Sequence, residues 1–295
     1  MGGNPPEENR QGFDSRWTKE DKMSLFRCPN CGAPLTREDR QYRCASGHVH
    51  DIAAEGYVHL LPANQKNSKM PGDDKAMVAA RADFLARGYY EPLRKALCEA
   101  ALAYAPQHAA VLDCGAGEGY YTAGIYRALA EGGKEPRMAA IDISKFAVRR
   151  CAKQAKQVEC AVASAYRLPL ADESCDLLVN CFSPLALEEF SRVLKSGGVM
   201  LYVVPAARHL MEMKEVLYDE PYENEEKLTP YEGFTYCEVR EVESFAELTS
   251  NADIAALFGM TPYAWKTPRA GRERLLALEE LGVTISFRIH VLRKN

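Results

Sequence analysis

Three glycines at alternate positions, Gly115, Gly117 and Gly119, follow an apolar strand (Ala109 to Leu112) and an acid, Asp113, and lead into a helix opening on Tyr120 and Tyr121. Glycine lets a chain turn tightly out of a strand, and with no Cβ in the way a ligand can lie against the main chain. The chemistry implied is the seating of something flat and fairly large. A second group implies a metal. Cys28-Pro-Asn-Cys31 and Cys44-Ala-Ser-Gly-His48 form the pattern Cys-x2-Cys-x12-Cys-x3-His, four soft or borderline ligands with no place for water, which is the composition of a closed, structural zinc site. His50 lies within reach of the same turn and competes with His48 for the fourth position.

Two ligand classes suit the glycine turn, and the register of the glycines separates them. A dinucleotide site needs Gly-x-Gly-x-x-Gly; here the third glycine comes one residue early and Tyr120 stands where that pattern wants glycine. The acid ahead of the first glycine suits a ligand with a cationic amino acid head. The stretch therefore resembles motif I of the class I S-adenosylmethionine (SAM) methyltransferases. Asp142, at the tip of a second apolar strand from Arg137, is placed to accept both ribose hydroxyls of an adenosine ligand, because Ser144 already serves as cap of the next helix. The loop Ser164 to Pro169 would lie under an adenine, and Asn180-Cys-Phe-Ser-Pro184 ends a strand at the sheet edge where substrate meets cofactor.

Elements must hold these groups in place. Strand and helix alternate from Ala109 onward, which predicts an α/β doubly wound, Rossmann-like sheet of seven strands with helices on both faces. Ahead of it a helical pattern starts at Lys75 behind an Asp74 cap and breaks at Gly88 and Pro92, which puts Tyr89 and Tyr90 on a bend beside the glycine strand. Arg208 and His209 open a helix at the same edge, and Trp265 reads as core or lid. The expected divisions are a disordered tail over 1–23, a zinc-binding β-hairpin domain over 24–70, a helical linker or lid over 71–108 and the catalytic domain over 109–295.

The 295 residues carry 37 Lys and Arg against 41 Asp and Glu, a net charge of -4 that excludes holding nucleic acid by bulk electrostatics. Any RNA contact needs a local basic face. Arg37, Arg40 and Arg43 on the zinc hairpin, with Tyr42 for stacking and His59, Lys66 and Lys69 following, are the candidates. No apolar run reaches the ~18 residues of a membrane span, so a cytoplasmic, membrane-free protein is expected, its scattered cysteines reduced core residues.

From Phe26 onward the chain resembles the RlmA family of ribosomal RNA guanine-N1 methyltransferases. The marks are the Cys3His knuckle, Glu55-Gly-Tyr-Val-His-Leu-Leu-Pro62, Pro71-Gly-Asp73, Gly88-Tyr-Tyr-Glu-Pro-Leu93, the Gly-Glu-Gly-Tyr-Tyr-Thr turn, Arg208-His209-Leu-Met-Glu212 and Met260-Thr-Pro-Tyr-Ala-Trp265. The resemblance implies SAM as cofactor, touched by Tyr90, Gly117, Glu118 and His209, beside Asp113, Gly115, Gly119 and Asp142 from the motif reading. It implies a homodimer acting on a 23S rRNA stem-loop, on a guanosine of the 745 or 748 type in the hairpin 35 loop. No residue declares itself as catalytic base; His209 and Glu118 are the weak candidates. A small-molecule methyltransferase and a non-catalytic zinc-containing RNA-binding protein are the alternatives.

Overall fold

The computed structural model describes residues 23–62, 71–226 and 228–295. Most of the expected tail, and Lys66 and Lys69, lie outside the described residues. Five short strands come first: β1 (Met23–Arg27), β2 (Pro34–Glu38), β3 (Gln41–Cys44), β4 (Val49–Asp51) and β5 (Tyr57–His59). The first four form an antiparallel sheet in the order β1-β2-β3-β4, a larger unit than the single hairpin expected. The fifth leaves that sheet and pairs parallel with β8 (Glu159–Val162), at the edge of the main sheet.

That main sheet also contains β6 (Ala110–Cys114), β7 (Arg137–Asp142), β9 (Cys175–Cys181), β10 (Leu194–Pro205), β11 (Phe234–Leu248) and β12 (Leu281–Lys294). The order is β11-β12-β10-β9-β6-β7-β8-β5. Seven strands answer the expected methyltransferase sheet, and β5 is an eighth. β6, β7 and β9 lie parallel in the middle and are covered on both faces, so they read as nearly unbroken apolar runs. β12 runs antiparallel to β10 and β11. The glycine strand β6 sits between β7 and β9, where the strand order reverses, and such a switch point opens a crevice at the carboxyl ends.

Two helices form the bend before the sheet, α1 (Lys75–Ala86) and α2 (Glu91–Tyr104). Asp74 caps α1 by accepting from the amides of Ala76 and Met77 at 2.8 and 2.9 Å. After β6 comes α3 (Tyr120–Glu131), and after β7 comes α4 (Lys145–Gln154), whose cap is the Ser144 hydroxyl. The remaining helices are α5 (Leu187–Val193), α6 (Met211–Leu217), α7 (Asn251–Met260), α8 (Tyr263–Lys266) and α9 (Arg269–Leu276).

The zinc module is packed into the sheet and not tethered to it. Phe26, Leu35 and Tyr42 share one apolar cluster with Val58, Ala161 and Leu170. Glu159, at the start of β8, accepts from the Leu25 amide at 3.1 Å, from the Tyr42 hydroxyl at 3.2 Å and from Ser24. Tyr42 is therefore buried, 4% exposed, and is not the RNA-stacking ring that its place among arginines suggested. Of those arginines, Arg43 pairs with Glu38 at 3.0 Å. Replacing Glu159 with Ala leaves the Tyr42 hydroxyl buried without an acceptor and removes bonds to a carboxylate, so the urea midpoint should fall by the equivalent of about 3 kcal/mol. An unchanged midpoint would show that this anchor contributes nothing.

Candidate active site and metal centre

A cavity of about 840 Å³ opens at the carboxyl ends of the central strands, within the size range of small-molecule and cofactor sites. Its floor is the glycine turn. The carbonyl of Ile141 on β7 accepts the amides of both Gly115 and Ala116 at 2.9 Å, and Asp142 Oδ2 accepts the Gly117 amide at 3.0 Å. Asp142 Oδ1 takes the Ser144 amide at 2.8 Å, so this carboxylate fixes the turn and the start of α4 together. Gly115 has φ +83°, and a Cβ there would lie 2.2 Å from that of Ser183. Only glycine permits that approach.

Of the cofactor residues expected from sequence, Tyr90, Gly115, Gly117, Glu118, Asp142 and His209 line this cavity. Asp113 and Gly119 do not. The Asp113 side chain points behind the turn, where Oδ2 accepts the Thr122 hydroxyl at 2.6 Å. Gly119 is the left-handed cap of α3, φ +95°, and its missing Cβ makes room for Cys151 on α4, which that atom would approach to 2.8 Å. Both support the turn from behind.

The cavity is also lined by Asp73, Arg81 and Tyr121, none of which the sequence had assigned to the cofactor. Arg81 on α1 bonds Asp73 at 2.6 Å, and it is the one Lys or Arg among the described lining residues. Glu118 is buried with Oε2 unpartnered, and burial raises its pKa while Arg81 pulls it down. The Tyr121 hydroxyl is buried and unpartnered too. Buried polar atoms without partners are rare, and a cluster of them facing one cavity marks the place of a polar ligand. A zwitterionic amino acid group fits: Arg81 suits a carboxylate and Glu118 an ammonium.

His209 is 8% exposed, and its Nδ1 accepts the Ser286 amide at 3.2 Å. That bond assigns the ring proton to Nε2. Burial first, and then the charge of Lys214, push its pKa down to about 3. With Nδ1 accepting the Ser286 amide and burial favouring the uncharged ring, His209 is left with Nε2 as a donor. Trp265 lines the cavity mouth and is 69% exposed, so it is not core. Arg208 is exposed and pairs with Glu223 at 3.3 Å.

At the metal centre, one donor atom each from Cys28, Cys31, Cys44 and His48 lies within 4.8 Å of the others. Cys31 Sγ is 3.7 Å from Cys44 Sγ, and His48 Nδ1 is 3.4 and 3.6 Å from the sulfurs of Cys44 and Cys28. A zinc tetrahedron with ordinary bond lengths has edges of roughly 3.5–3.8 Å, so the donor set fits a structural Zn2+. His50 reaches only Cys28, at 3.5 Å, which favours His48 as fourth ligand and leaves His50 beside a sulfur. The Ala33 amide and then the Ser46 hydroxyl lower the Cys31 thiol to about 6, favouring the thiolate a metal needs.

Comparison with known proteins agrees with this geometry. Residues 26–69 match the family model described as "RlmA, N-terminal", a zinc ribbon, and residues 111–198 match "Methyltransferase domain". The chain is 34% identical over 302 aligned positions to the "Putative 23S rRNA (guanine-N(1)-)-methyltransferase" of Micromonospora griseorubida, covering 92% of this chain and 98% of that protein. The chain belongs to the RlmA family. A second relative within it is the "23S rRNA (guanine(748)-N(1))-methyltransferase" of Streptomyces fradiae, 38% identical over 68% of this chain and 70% of that protein. Membership accounts for both sites at once, a SAM-dependent class I methyltransferase sheet and a structural zinc.

In this RlmA-family chain the supporting acid behind the turn makes a checkable contribution. Burial raises the Asp113 carboxyl to about 7, above the value of about 4 in an unfolded chain. The native state therefore binds the extra proton between those values, and stability falls as pH rises through that window. Without added SAM, thermal unfolding of Asp113→Asn should lose this part of the pH dependence and gain stability relative to wild type at pH 8, by on the order of a few kcal/mol. Parallel melting curves for the two proteins from pH 5 to 8 would contradict the assignment.

Proposed function

We propose that this protein transfers the methyl group of SAM to N1 of a guanosine in a stem-loop of 23S rRNA, the hairpin 35 loop being the expected target. The observation that carries the reading is the docking of a zinc ribbon onto the sheet whose glycine turn forms the cofactor cavity. β5 pairs with β8 and Arg27 donates to Pro169 at 2.7 Å, beside the loop of Ser164 to Tyr166 that lines the cavity. The names of the relatives, both rRNA guanine-N1 methyltransferases, support it. A small-molecule enzyme has no use for such a module.

SAM supplies an activated methyl on a sulfonium. The chain's task is then to orient the partners and exclude water. We assign the ribose hydroxyls to Asp142, the amino acid ammonium to Glu118 and its carboxylate to Arg81, which would exchange Asp73 for the ligand. Gly117 lets the cofactor approach the main chain while Gly115 makes room for Ser183 beneath it, Tyr90 closes the cavity from the α1–α2 bend, and His209 donates from Nε2. Guanine N1 carries a proton at neutral pH that must leave during or after transfer. The one lone pair of the His209 ring, on Nδ1, is taken by the Ser286 amide, and Glu118 is committed to the cofactor, so neither is assigned as the base that takes this proton. The zinc held by Cys28, Cys31, Cys44 and His48 keeps the ribbon's shape and takes no part in the reaction.

The reading includes a division of labour, with 24–70 recognising RNA, 71–108 acting as lid and 109–295 catalysing. It includes a homodimer and a cytoplasmic location; no helix among the described residues is long and apolar enough to cross a membrane.

Incubation of the purified protein and SAM with 23S rRNA, followed by primer extension, should give one reverse-transcriptase stop at a loop guanosine, since N1 methylation blocks pairing. No stop on any rRNA would refute the function. For the cofactor assignment, Arg81→Met should raise the Kd for SAM by tenfold or more in calorimetry, roughly the worth of a charge-assisted bond. Unchanged affinity would remove Arg81 from the site.

A further inference from the structure

Phe182, one residue past β9, is placed in a way that its surroundings do not explain by folding alone. Its backbone has φ +61°, in the left-handed region that a bulky side chain avoids. Its ring is 47% exposed and stands at the mouth of the cofactor cavity. One side rests on Phe287, ring centroids 5.0 Å apart, with Tyr121 further off at 6.4 Å.

The turn that carries it is braced from two strands. Asn180, fully buried at the end of β9, donates from Nδ2 to Ser183 Oγ at 2.9 Å and to the Pro184 carbonyl at 3.2 Å. Ser183 Oγ in turn donates to the Cys114 carbonyl at 2.8 Å, at the end of the glycine strand. The Ser183 side chain sits in the space that the missing Cβ of Gly115 leaves. Phe182 is thus locked in register with the cofactor cradle by the same contacts that shape it. Strained backbone held by over-determined contacts beside a ligand cavity points to function.

We propose that Phe182 is the platform on which the target guanine stacks after it leaves its helix. This rests on the functional reading above and deepens it. Guanine N1 faces a pairing partner in a stem and is reachable only when the base is unpaired or extruded. An extruded base loses its stacking neighbours, and an aromatic face can replace them. Phe182 offers that face at the carboxyl end of β9, next to the glycine strand, and Trp265 and Tyr166, 69% and 68% exposed, stand on the rim of the same cavity. Phe182 is a positioning residue: it holds the base and exchanges no proton.

The test compares the wild type with Phe182→Leu and Phe182→Tyr on the rRNA stem-loop, and measures SAM affinity of each by calorimetry. Leucine keeps the apolar contact with Phe287 and removes the π face. F182L should lower kcat/KM for RNA by about tenfold to a hundredfold, the range of one base–aromatic stack. Its Kd for SAM should stay within about twofold of wild type, and F182Y should retain most of the RNA activity, since it keeps the stacking face. F182L as active as wild type, F182Y as poor as F182L, or an equal loss of SAM affinity would overturn the assignment. A wild-type enzyme that leaves the RNA unmodified would instead remove the functional reading, and this one with it.

Discussion

One backbone carbonyl organises the cavity. Ile141 O accepts two successive amides, those of Gly115 and Ala116, which forces the chain leaving β6 to fold back over the tip of β7. The Gly117 amide then falls to the Asp142 carboxylate. These three bonds satisfy donors that a parallel strand would otherwise leave open at its end, and they consume the amides that a phosphate-binding turn would present. Such a floor suits a ligand held by carboxylates and side chains better than one held by backbone N–H groups.

The same turn shows what local sequence rules convey. The glycine spacing, the acid at the tip of the next strand and the caps Asp74 and Ser144 each depend on residues within a few positions of one another, so their arrangement could be read directly. The zinc quartet was legible for a related reason: two tight turns fix each pair, and only the meeting of the pairs needs the fold. Asp113 and Gly119 were expected at the cofactor and sit behind the turn, because the pattern says which residues make the turn but not which of them face inward. Thr122 and Cys151, the partners that turn them away from the cavity, come from α3 and α4.

Other features had no local signal. Arg81 is flanked by Ala80 and Ala82 on α1 and reads as a solvated cation until that helix is laid over Gly117. Tyr42 lies between arginines, yet the carboxylate that buries it is Glu159, distant in sequence. β5 is three residues long, too short to show a strand period, and its partner β8 lies about a hundred residues further on. The strain at Phe182 belongs to a turn set by Asn180 and Ser183 acting across two strands.

The position of β5 bears on solubility. A sheet ends in strands whose open N–H and C=O groups can recruit another chain, and proteins blunt such edges with short or charged strands. At one end β11 carries Glu238, Arg240, Glu241, Glu243 and Glu247. At the other, the apolar run Cys160-Ala161-Val162 of β8 is masked by three residues that follow directly from the metal-braced ribbon. Depriving the cell of zinc would uncover that run and turn a capped edge into a template for aggregation.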